Sequence, residues 1–186
     1  MDSGSERFGP LLGLVAAACS GVLFYFGTGI ATGGPPIAAL AWIAPLPVLL
    51  MAARVSARAA TGIAFLAYFL GTANSWDYYL DSRDVPLPVG ALISVALSLM
   101  FVFAVWIFRA LVRHGAVLLA VLAAPASWTG AAYLVQVLNP RGLMGTFAAN
   151  QGDLPVVLQI ASVTGAWGVE FLVLFAPTAV AALFGV

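Results

Sequence analysis

Six stretches of this chain are each apolar over roughly the twenty residues that a helix needs to cross about 30 Å of hydrocarbon. They fall at about 10–31, 35–53, 57–76, 87–108, 115–138 and 155–186. Inside a bilayer no water is at hand to pair exposed backbone groups, so a segment of this kind has to close its own hydrogen bonds as a helix. The pattern predicts an all-α integral membrane protein, a bundle of about six transmembrane helices forming one membrane domain over residues 1–186. The breaks carry turn formers: Gly33-Gly34-Pro35-Pro36, Asp81 to Pro88, and Asn139-Pro140-Arg141-Gly142.

Composition removes the soluble alternative. Only 8% of residues are charged and 63% are hydrophobic, whereas a soluble domain carries about a quarter charged residues. Seven arginines balance seven acidic residues and there is no lysine, so no basic surface is present to hold nucleic acid. With Cys19 as the only cysteine, neither an intrachain disulfide nor a thiolate metal cluster can be built. No cofactor or metal site is expected.

The arginines set an orientation. Basic residues are retained on the cytoplasmic side, and an inside N terminus puts Arg7, Arg54, Arg58, Arg109 and Arg113 there, leaving Arg83 and Arg141 outside. Asp77, Asp81, Asp84 and Asp153 then fall outside as well. This gives an N-in/C-in chain.

Few side chains remain that could do chemistry. Arg7, an apolar run and Ala16-Ala17-Ala18-Cys19 have the outline of a lipoprotein signal, but the apolar run continues through Phe26, and Cys19 reads better as a buried structural cysteine. His114 has no second His or Cys near it and reads as a boundary histidine. Asp77, Asp81 and Asp84 lie among Trp76, Tyr78 and Tyr79, the composition of an interfacial aromatic belt. Glu170 stands apart. It lies roughly 22 Å into the last span at 1.5 Å per residue, where an ionisable group costs a few kcal/mol unless it is paired. Either it bonds a neighbouring helix, with Ser94, Ser98 and Thr129 as possible partners, or it contacts a substrate or proton. Ala161, Gly165 and Gly168 nearby offer small residues for close helix packing.

The region from Pro125 to Pro177 resembles the membrane part of bacterial apolipoprotein N-acyltransferase. Pro125-Ala-Ser-Trp128 is similar to the Pro-x-x-Trp opening of that family's fifth span. Gly142-Leu-Met-Gly145-Thr-Phe-Ala-Ala-Asn-Gln151 resembles its Gly-x-Trp-Gly…Ala-Tyr-x-Gln loop. Leu154-Pro155 and Gln159-Ile-Ala-Ser-Val-Thr-Gly165-Ala-Trp-Gly168-Val-Glu-Phe171-Leu172 follow its next block, and Trp42-Ile-Ala-Pro45-Leu-Pro and Gly71 to Tyr79 add weaker likeness. The chain departs from the pattern at Met144, where the family has Trp, at Ala149, where it has Tyr, and at Ala132 and Val135, where it has Glu and Arg. The position of Glu170 is ordinarily small or polar.

The resemblance implies transfer of an acyl chain from a membrane phospholipid to the N-terminal amine of a lipoprotein in a bacterial plasma (inner) membrane. It places catalysis in a nitrilase-like domain after the membrane helices, on a Glu-Lys-Cys triad. Without lysine these 186 residues cannot assemble that triad, so the expected partners include a missing or separate catalytic domain, and no catalytic residue is expected here. Gln151, Gly145, Met144, Trp167 and Glu170 are the candidates for contact with lipid or substrate, around the 139–155 loop. The other reading is a non-enzymatic membrane protein, as a scaffold, lipid binder or small transporter, with Glu170 as its main polar site. A transporter should show discontinuous helices.

Overall fold

The computed structural model describes residues 5–28, 37–81, 85–138 and 146–185, except for the side chains of residues 5–8, 10 and 185. The chain is an all-α membrane protein. Helix α1 spans Ser5–Gly27, α2 Ala38–Ala41, α3 Leu46–Ala52, α4 Ala57–Gly71, α5 Trp76–Asp81, α6 Leu87–Arg113, α7 Val117–Leu138 and α8 Pro155–Gly185, with short 3₁₀ turns at Thr72–Ser75 and Ala148–Gln151. By length and composition, Leu87–Arg113, Val117–Leu138 and Pro155–Phe184 can cross a membrane, while Leu11–Gly27 and Ala38–Ala52 are shorter apolar segments.

Local chemistry accounts for several of these boundaries. Ser56 adopts an extended backbone and its hydroxyl accepts the Ala59 N–H at 3.2 Å, capping the start of α4. At the end of α6 the N–H groups of Gly115 and Ala116 reach back to the carbonyls of Val112 and Leu111 at 3.0 and 2.9 Å, the paired bonds of a Schellman stop. This carries α6 to Arg113, a turn beyond the expected residue 108.

Three of the expected spans are not continuous helices. The one expected at 57–76 leaves the α-helix at Gly71 and passes through the 3₁₀ turn Thr72–Ser75 into α5. The segment expected at 35–53 divides into α2 and α3 around a turn at residues 42–45, because Pro45 and Pro47 withhold N–H groups that an unbroken helix would use. The last span breaks at Gly165, whose backbone takes φ 68°, ψ −178°. That region is open almost only to glycine. Gly165 is exposed, and a side chain there would meet nothing within 4 Å, so its use is conformational and not the close helix packing expected of it. Gly165→Val should therefore lower stability by about 1–3 kcal/mol through backbone strain alone. The check is the thermal midpoint in detergent micelles, and an unchanged midpoint would mean that the break is not part of the native state.

The helices gather around a shared aromatic centre. α1 and α4 run side by side, so closely that a methyl group on Gly71 would stand 2.4 Å from Phe24 Cβ. Phe24 meets Tyr68 of α4 at 4.9 Å and Phe101 of α6 at 5.3 Å between ring centroids. Trp128 of α7 closes the group, 5.3 Å from Tyr68. Such rings supply large packing surfaces in tilted and edge contacts, and Phe24, Phe101 and Trp128 are fully buried.

One end of the bundle collects the arginines. Arg109 at the end of α6 donates to the Ala52 carbonyl, and Arg54 donates to the Phe184 carbonyl at 2.9 Å. Both guanidinium groups thereby cover carbonyls left unpaired where α3 and α8 stop, and they complement the negative ends of those helices. This is the end that the arginine pattern assigns to the cytoplasm. Cys19 corrects the sequence reading: it is exposed on the outer surface of α1, where the surrounding solvent for an apolar helix is lipid.

Candidate functional site

A stretch of irregular backbone at residues 146–152 dips between the helices, burying Thr146, Phe147 and Gln151 and leaving Ala149 and Gly152 exposed. Non-helical chain survives at membrane depth only where protein satisfies its polar groups, and here Glu170 does so from outside the turn while Thr146 and Asn150 do so within it. Glu170 of α8 accepts the Trp128 indole N–H at 2.7 Å through Oε1 and the Ala148 backbone N–H at 2.9 Å through Oε2. Ala148 begins a 3₁₀ turn, and the first N–H groups of such a turn have no partner within it. The carboxyl group supplies one, and Glu170 is fully buried in doing so.

This arrangement changes the expected partnership of Glu170. Ser98 gives its hydroxyl proton to the Ser94 carbonyl at 2.7 Å instead. The hydroxyls of Ser94 and Thr129 have no hydrogen-bond partner among the described residues. An isolated hydroxyl on a neighbouring helix offers one donor, whereas the turn and the indole offer two that are otherwise stranded, so the carboxylate lies where both are satisfied.

Gln151 holds the far side of the same turn. Its carbonyl accepts the Trp42 indole N–H at 2.9 Å, and its amide donates to the Ala38 carbonyl at 3.4 Å. Trp42 and Ala38 belong to the broken second span, where the Trp42 N–H turns to the Ala39 carbonyl, so the glutamine amide stands in for the helical bond that the Ala38 carbonyl lacks and gives the Trp42 indole an acceptor. Gln151 is 0% exposed. It can affect a lipid only through the segments that it ties together.

Phe147 fills the space between the two polar contacts. Its ring stacks on Trp128 at 5.2 Å with 23° between planes, and it lies 6.0 Å from Phe24. Around it the turn closes on itself: the Thr146 hydroxyl accepts the Ala149 N–H at 3.2 Å, and the Asn150 amide donates to the Thr146 carbonyl at 3.0 Å.

Of the residues singled out from the sequence, Gln151 and Glu170 come together on this one turn. Trp167 does not join them; it lies half-buried on the outer side, edge-on to Tyr133 at 5.3 Å. Met144 and Gly145 lie outside the described residues. Asp77 and Asp81 are exposed, and among the described residues no three His, Cys, Asp or Glu side chains form a group able to hold a metal ion. The residues that sequence reasoning passed over as site members are Trp42, Trp128 and Phe147. A signal for the two tryptophans was available, since an indole N–H placed well inside an apolar segment needs an acceptor, and the chain offers few.

The model of the apolipoprotein N-acyltransferase N-terminal domain matches residues 20–179. That stretch takes in the broken second span, the aromatic centre, the sunken turn and most of α8. No curated protein and no solved structure matches the chain at a significant level.

Proposed function

Because the chain belongs to the family of apolipoprotein N-acyltransferase N-terminal domains, we propose that it is the lipid-holding membrane module of a phospholipid-to-lipoprotein acyl transfer system. It works in the plasma membrane of a bacterium, crosses it six times with both ends inside, and serves lipoprotein maturation. The family match over residues 20–179 carries this reading. The sunken turn supports it, because residues 148–151 of the 139–155 loop are anchored into the bundle from both sides, through Gln151 and Glu170. This anchored turn then offers a fixed edge against which an acyl-bearing lipid can be held while a catalytic domain acts on it.

Crosslinking with a photoactivatable phosphatidylethanolamine tests the proposal. The purified chain in lipid nanodiscs should be labelled, and labelling should fall several-fold in Gln151→Leu and in Gly145→Val. Gln151→Leu strands the Trp42 indole and the Ala38 carbonyl, an expected loss of about 1–3 kcal/mol, so each variant is compared at a temperature where circular dichroism shows it folded. Equal labelling of folded variants and native chain would sink the assignment of the loop.

The transporter reading gains one point and loses another. Discontinuous helices are present at residues 42–45 and at Gly165. Against it, both oxygens of Glu170 are engaged by Trp128 and Ala148 in a fully buried setting, which leaves the carboxyl group without a face toward a transport path. A scaffold role for Glu170 follows more directly.

A further inference from the structure

The arginine end of the bundle contains a feature that the acyl-transfer reading does not use. Four arginines meet there, but they are not equivalent. Arg54 and Arg109 are committed to the carbonyls of Phe184 and Ala52. Arg58 and Arg113 are exposed and meet no carboxylate among the described residues.

The packing of α4 on α6 brings these two to the same seam. Trp106 donates its indole N–H to the Thr61 hydroxyl at 2.9 Å, and further along the pair Tyr68 meets Phe101 at 5.3 Å. The helices are therefore antiparallel, with residue 61 level with residue 106. Residues three apart on a helix share a face one turn on, so Arg58 comes opposite Arg109, and Arg113 follows one turn later. Trp106 is half exposed just above them, the setting of an aromatic residue at headgroup level.

Away from the arginines, the same seam presents only apolar surface. On α6, Leu92, Leu99, Phe103 and Trp106 are exposed along one face, and on α4 Phe65, one turn on from Thr61, is half-buried beside them. An apolar lane ending in two free guanidinium groups and an indole has the polarity of a phospholipid laid lengthwise, with the charge complementarity of an anionic headgroup. Guanidinium groups suit a phosphate through paired N–H donors.

We propose that the α4–α6 seam binds one anionic phospholipid, its acyl chains along Phe65, Leu99 and Phe103 and its phosphate held by Arg58 and Arg113. The arginine end of this site lies away from the sunken turn, about 18 Å along α6 from Phe101, which packs against Trp128 beside that turn, at 1.5 Å per residue. It does not depend on the acyl-transfer reading.

Native mass spectrometry of the full 186-residue chain, released from nanodiscs of equimolar phosphatidylglycerol and phosphatidylcholine, reads the site directly. The native chain should retain phosphatidylglycerol over phosphatidylcholine, with about a fivefold preference for each free arginine. The double variant Arg58→Gln with Arg113→Gln should lose that preference, and Arg58→Lys with Arg113→Lys should keep most of it. Equal retention of both lipids by the native chain would overturn the proposal, as would unchanged preference in the glutamine variant. Displacement of the lipid by millimolar inorganic phosphate would also overturn it, by assigning the site to a free anion. If the glutamine variant does not fold, the native chain still decides: retention must weaken as salt is raised, and retention indifferent to salt defeats the proposal.

Discussion

Replacing Glu170 with leucine will unfold this protein at a markedly lower temperature, although it makes an apolar span more apolar. Leucine leaves the Trp128 indole N–H and the Ala148 N–H buried without an acceptor. Each stranded donor costs about 1–2 kcal/mol, allowing for the modest values found for hydrogen bonds inside membranes, so the total is roughly 2–4 kcal/mol. Glu170→Gln keeps the shape and one acceptor but turns an amide donor toward the other N–H, and should cost about half as much. The measurement is thermal unfolding in detergent micelles followed by tryptophan emission. A leucine variant as stable as the native chain would show that the carboxylate is kept for chemistry and not for holding the turn.

Phe147→Ala should have an effect at least as large, for a different reason. The ring is 1% exposed and stacked between Trp128 and Phe24. Its removal empties the centre on which α1, α4, α6 and α7 converge, a loss of about 3–5 kcal/mol for a buried phenylalanine. Phe147→Leu, which refills much of the volume, should recover most of it. Hydrogen exchange separates this from a general loss of packing: the amide of Ala148 should exchange fastest relative to the native chain, because the turn loses its anchor first. If protection falls evenly across all helices, Phe147 is one core residue among many and the turn has no separate docking.

Taken together, the two substitutions show why an irregular segment can persist inside the bundle. The aromatic ring supplies the packing and the carboxylate supplies the missing acceptor. Gln151 repeats the device on the other side, where Ala38 presents a carbonyl left by a broken helix and Trp42 an indole N–H. Glu170, an ionisable residue in an apolar span, is in this protein a sign of irregular backbone packed against it.

Much of this was legible in the chain alone. Runs of apolar residues dictate helices, since backbone groups in lipid have no other partner, and the all-α membrane fold follows. The bunching of Arg54, Arg58, Arg109 and Arg113 was visible as an asymmetry of loops, and their gathering at one end agrees with it. Glu170 stood out because an ionisable group is rare within an apolar span, and Gln151 because it closes the loop motif that resembles the acyltransferase family.

Tertiary structure alone decided what those residues touch. Glu170 and Ala148 are 22 positions apart, and Gln151 lies 109 positions from Trp42; no spacing rule links residues that meet only because helices pack. The same holds for Cys19, whose apolar neighbours in sequence suggested burial although its helix turns it outward. Gly165 was readable as a small residue, but whether a glycine serves close packing or a positive φ depends on the backbone around it. Sequence determines which groups require partners, and packing determines which partners come within 3 Å.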